Sequence, residues 1–112
     1  MDCIFCKIVA GQIPSKKVWE DDRAYAFHDI DPKAPTHILV VPKKHLASLA
    51  HAEAEDEALL GHLLLAASQI AREQGLGKGY RVAISTGAEG GQTVDHLHLH
   101  ILGGRQMHWP PG

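Results

Sequence analysis

At 112 residues with 45% apolar side chains, the chain is sized for a single domain, residues 1–112, with a real hydrophobic core. A net charge of −2, basic pairs only at Lys16-Lys17 and Lys43-Lys44, and few aromatics exclude a dedicated nucleic-acid surface. The longest apolar run, Leu63 to Ala67, falls short of a membrane span, and Met1-Asp2-Cys3 does not open a secretory leader, so a cytosolic protein with no membrane partner is expected.

Residues 3–10 read as a short helix stopped by Gly11. Its Cys3 and Cys6 have Cys-x-x-Cys spacing, which in a reducing compartment points to a metal or a redox pair. No βαβ pattern of the thioredoxin kind surrounds them, so zinc is the better reading, with two further ligands to come from the nine histidines. Residues 17–20 and 24–29 form a hairpin around Asp21-Asp22. At and just beyond its end, Phe27, His28 and Ile30 offer an apolar slot, while Asp29 before Asp31-Pro32 reads on its own as a turn residue or a free carboxylate. Residues 37–41 are a nearly all-apolar strand buried on both faces, closed by Pro42. His37 at its start reads on its own as a satisfied core histidine.

A long helix is predicted from near Glu53 to Gly75. Acidic residues crowd its first turns, where they favour the helix dipole, and Leu59, Leu60, Leu63, Leu64, Ala67, Ile70 and Ala71 form its core stripe. His62 lies off that stripe as a solvated residue. Strands over 80–85 and 96–102 complete about five strands with one long and one short helix. Without βα alternation, this argues for an α+β fold with an antiparallel sheet.

The last strand carries His96, His98 and His100 at every second position, alternating with Leu97, Leu99 and Ile101. Strand geometry puts the three imidazoles on one face and the aliphatic residues in the core. The outer pair is then roughly 13 Å apart at the backbone, too far for one metal ion to hold all three readily. A central His98 flanked on both sides suits nucleophilic or acid-base chemistry; a two-histidine metal site or a polar surface are the alternatives. Just upstream, the loop from Gly87 to Val94 with the pair Gly90-Gly91 reads as a phosphate cradle, with backbone N–H groups near Gly91 and the Thr93 hydroxyl as donors.

These motifs, together with Ile13-Pro14, Phe27-His28-Asp29-Ile30, Ala34-Pro35-Thr36-His37 and the tail from Leu102 to Gly112, resemble the Hint branch of the histidine triad nucleotide-binding family over the whole chain. The resemblance implies hydrolysis of nucleoside phosphoramidates of the adenosine 5'-monophosphoramidate type through a phosphohistidine intermediate. His98 would be the nucleophile, with His37 behind it as an orienting residue, and His100 and Thr93 would act on the phosphate and leaving group. Purine nucleotide binding would involve Phe27, His28, Asp29, Ile30, Ser85, Gly91, Thr93, His98 and His100. It also implies a homodimer with sheets joined edge to edge, in which the tail, residues 103–112 with Trp109, reaches toward the partner's site. Cys3 and Cys6 match a pair found in many prokaryotic members, and the implied zinc ligands are Cys3, Cys6, His45 and His96. Ser85 stands where animal members carry asparagine, which loses an amide near phosphate and ribose. The alternatives are a dinucleoside polyphosphate hydrolase, which the tail disfavours, and a nucleotide-binding interaction module.

Overall fold

A computed structural model describes residues 3–112; Met1 and Asp2, where the leader reading begins, lie outside the described residues. Five antiparallel strands form one sheet in the order β1-β2-β3-β5-β4: β1 Lys17–Glu20, β2 Ala24–His28, β3 Thr36–Pro42, β4 Tyr80–Ala83 and β5 Leu99–Gly103. Two α-helices accompany it, α1 Ile4–Val9 and α2 Glu57–Glu73. The α+β expectation holds, and no helix among the described residues is long and apolar enough to cross a membrane.

The largely apolar β3 takes the centre of the sheet because both of its faces are covered. On one face, Ala24, Ala26, Ile38, Val40, Leu97, Leu99 and Ile101 meet Leu63, Ala66, Ala67, Ile70 and Ala71 of α2. On the other, Tyr25, Phe27, Leu39 and Val41 meet Phe5 and Ile8 of α1. The period-two alternation places all three triad histidines on the α1 side, with the intervening aliphatic residues beneath α2.

Four details depart from expectation. The β5 ladder starts at Leu99, because the Leu97 N–H donates to the Leu46 carbonyl and the His96 N–H to that of Val94, outside any strand pairing. Helix α2 begins at Glu57 after a 3-10 turn, Ala54–Asp56, closed by a capping box between Glu53 and Asp56. Its buried stripe follows positions 63, 66, 67, 70 and 71, so Leu64 is 53% exposed and the small Ala66 takes an inward place. His62 is not merely solvated: its Nε2–H donates to Asp21 Oδ2 at 2.6 Å and its Nδ1 accepts from Arg23 Nη2 at 3.1 Å, clamping α2 to the β1-β2 turn.

Candidate active site and metal centre

The strand alternation that sorts the imidazoles from the aliphatic residues brings His98 and His100 side by side, with ring centroids 4.9 Å apart. Each is then committed to one neutral tautomer by a different backbone group. The carbonyl of His96 can only accept, and it lies 2.7 Å from His98 Nδ1, so Nδ1 carries a proton and, in the neutral ring, Nε2 is the nitrogen with the lone pair.

The second chain of contacts runs the opposite way. The Lys33 N–H can only donate, and it reaches His37 Nδ1 at 3.0 Å. His37 therefore carries its proton on Nε2 and donates to His100 Nδ1 at 2.9 Å, which leaves His100 with an Nε2–H. Adjacent rings thus present one nucleophilic nitrogen and one donor. His37 orients His100; the group behind His98 is the His96 carbonyl, not His37 as the sequence reading has it.

Electrostatics keep the donor ring neutral. Burial, then the neighbouring His98 and His37, push His100 down to about 4, with Asp29 opposing. Burial also lowers His37, against the raising effect of Asp29, whose Oδ2 lies 3.4 Å from His37 Nε2. Asp29, His37 and His100 cluster closely enough to suggest a metal site. The donor set argues otherwise, because a metal on His37 Nε2 would require an Nδ1–H pointing at the Lys33 N–H.

These groups open onto a cavity of about 290 Å³. Thr93, Asp29, His98 and His100 supply its polar side, while Ile4, Phe5, Ile8 and Phe27 supply apolar wall. Ile30 stands at the rim, 99% exposed. The contribution of α1 was not foreseen; its sequence signal was the Ile4 and Ile8 pair at helical spacing. His28 borders a neighbouring cleft with Lys16. Ser85 lies just beyond Ala83, the β4 partner of His100.

In the glycine loop, Gly91 adopts φ +83 and its N–H donates to the Ala88 carbonyl at 3.1 Å, so that N–H already has a partner. Gln92, given no role of its own in the sequence reading, braces the loop: its Nε2 donates to the carbonyls of Ala47 and Val94, and its Oε1 accepts from the Gly87 N–H. Trp109 is 83% exposed and does not line the cavity. The tail before it is held on β4 by Arg81, which donates to the His108 carbonyl at 2.8 Å.

On the far side of Phe5, Cys3, Cys6, His45 and His96 bring four candidate ligand atoms within 4.8 Å of one another. His96, fully buried, donates from Nε2 to the Pro42 carbonyl at 2.8 Å, so its Nδ1 lone pair faces the cluster. That atom lies 3.2 Å from Cys3 Sγ, 3.6 Å from Cys6 Sγ and 3.1 Å from His45 Nδ1, while Cys6 Sγ lies 3.3 Å from His45 Nδ1. A tetrahedral zinc with ordinary bond lengths needs edges of about 3.4 Å between nitrogens and about 3.6 Å between nitrogen and sulfur, so the residues fit such an ion with little movement. Burial pushes the Cys6 thiol up, and a hydrogen bond and repulsion from Cys3 add to this; a divalent cation would offset that cost.

A sequence model described as HIT domain matches residues 10–107. The chain is 57% identical over 111 residues to an uncharacterized HIT-like protein of Synechococcus elongatus, covering 99% of this chain and 97% of that protein. Among solved structures, a HIT family hydrolase from Legionella pneumophila Philadelphia 1 superposes with a TM-score of 0.97 at 49% identity, over 99% of this chain and 100% of that one. A histidine triad nucleotide-binding protein from Candida albicans does so with a TM-score of 0.84 at 34% identity, over 97% and 83%.

Proposed function

The chain belongs to the HIT domain family, and from that premise we propose that it hydrolyses nucleoside phosphoramidates of the adenosine 5'-monophosphoramidate type. The observation that carries the reading is the opposed pair of tautomers on adjacent histidines. His98 Nε2 attacks the α-phosphorus, forming a P–N bond to the imidazole as the bond to the leaving amine breaks. The amine nitrogen takes a proton relayed through the Thr93 hydroxyl from solvent as the P–N bond breaks, while the neutral His100 only donates a hydrogen bond, and the water that next attacks releases a proton in return. Water then attacks the phosphohistidine, returning the nucleotide and the free imidazole.

His100 Nε2–H and Thr93 donate to the non-bridging oxygens, whose charge grows toward the transition state. The purine lies against Phe27 and Ile30, with His28, Ser85 and Gly91 around the nucleotide and Asp29 toward the ribose. Nucleotide binding is in the name of the Candida albicans relative. Cys3, Cys6, His45 and His96 hold one structural zinc, which tethers α1 and takes no part in the phosphorus chemistry. Such a thiolate site suits a reducing cytoplasm. Homodimerisation through the edge strand β4 is supported by the unpaired edge and by the exposed Leu64 and Leu65 of α2, and it would let the tail with Trp109 approach the partner's site.

His98→Ala tests the reading: the variant folds, as judged by far-UV circular dichroism, and loses hydrolysis of adenosine phosphoramidate. Undiminished turnover would overturn it. Faster wild-type hydrolysis of a dinucleoside polyphosphate would favour that substrate class instead, and failure to trap a labelled phosphohistidine would favour a binding module.

A further inference from the structure

Helix α1 carries two sets of residues at once. Cys3 and Cys6 belong to the metal cluster, and Ile4, Phe5 and Ile8 belong to the cavity wall. Six residues are too few to hold a helix by themselves, so its position depends on what its side chains grip.

Phe5 lies between the two cysteines in sequence and between the two sites in space. Its buried ring stands edge-on to His98, with centroids 5.2 Å apart and planes at 86°. The same ring meets His96 at 5.9 Å and Phe27 at 5.5 Å, both at 72°. His98 is also restrained by its Nδ1–H bond to the His96 carbonyl and by the His100 ring, its centroid 4.9 Å away. A single hydrogen bond fixes one atom of an imidazole and leaves the ring free to swing about it. The Phe5 ring, packed perpendicular to His98, limits that swing together with the His100 ring. Two of the restraints on His98 therefore trace to the cluster: the carbonyl belongs to its ligand His96, and the Phe5 ring to the residue between its ligands Cys3 and Cys6.

We propose that Phe5 is a positioning residue for the nucleophile, held against His98 by the tethering of α1 through Cys3, Cys6, His45 and His96 when these residues hold a metal ion. The inference rests on the reading of His98 as nucleophile and of the four-residue cluster as a metal site. It assigns that site an effect on turnover beyond its effect on folding. An attacking atom displaced by about 1 Å loses on the order of a hundredfold in rate, and losing an outer-shell partner commonly costs about tenfold or more.

The test compares the zinc-loaded chain, the same chain after chelation, and Phe5→Leu loaded with zinc. Side-chain 15N NMR of His98 needs no substrate. The loaded wild type shows one neutral tautomer with the proton on Nδ1, and both other samples show that signal broadened or averaged between tautomers. In Phe5→Leu, kcat falls about tenfold, by a larger factor than KM rises, at unchanged circular dichroism. Ile4→Ala, on the same helix but without a ring against His98, raises KM with little change in kcat. An unchanged His98 signal and unchanged kcat in Phe5→Leu would overturn the proposal, even if chelation unfolds the protein. Retained activity in His98→Ala would instead strike the hydrolase reading, and the NMR comparison would still decide whether Phe5 positions the ring.

Discussion

Replacing His100 by asparagine removes a titrating group and keeps an acceptor for the His37 Nε2–H. His100 is held to about 4 in the folded chain against an ordinary 6.5, chiefly by burial and then by its histidine neighbours. Between those values the unfolded chain binds a proton that the native chain does not, so stability falls as pH falls through this window. Linkage over that shift gives a loss of about 2 kcal/mol between pH 7 and pH 5, levelling at about 3 kcal/mol below pH 4. Urea unfolding of wild type and His100→Asn at equal chain concentration, both with chelator so that the cysteine cluster contributes alike, measures the difference. The wild type loses about 2 kcal/mol more than the variant on acidification from pH 7 to pH 5. Parallel losses in the two proteins would refute the argument that burial and the His37 contact keep this ring neutral.

Two further outcomes follow from packing. In Gly90→Ala the new Cβ would clash with the Thr86 carbonyl oxygen, so the loop leading to Thr93 must shift; phosphoramidate kcat/KM falls about tenfold or more while the urea midpoint changes little. Ile101→Ala hollows out a fully buried site beneath α2 and costs about 2–5 kcal/mol in chemical denaturation, with little effect on KM because the side chain faces away from the cavity.

What could be read from the chain alone follows from the range of the interactions involved. The alternation of residues 96–101 depends only on backbone geometry, so the shared face of the three histidines was legible, as was the burial of β3 from its unbroken apolar run. Contacts distant in sequence were not. The partners of His37 and His62 lie 63 and 41 residues away, at His100 and Asp21, and a lone histidine does not name its partner. The inward turn of Ala66 in place of Leu64 was missed because a small side chain weighs little in a hydrophobic pattern, although the helical period favours it. The apolar face of α1 was visible, but only the fold shows that it walls the cavity.

The two protonation patterns at the site are set by main-chain groups, the His96 carbonyl and the Lys33 N–H. A main-chain group survives a change of its own side chain. Under the proposed mechanism, the placement of the protons is therefore sheltered from most single substitutions, while the cavity walls at Ile4, Ile8 and Ile30 consist of side chains free to change. Substrate preference can drift along those walls without disturbing which nitrogen attacks and which donates.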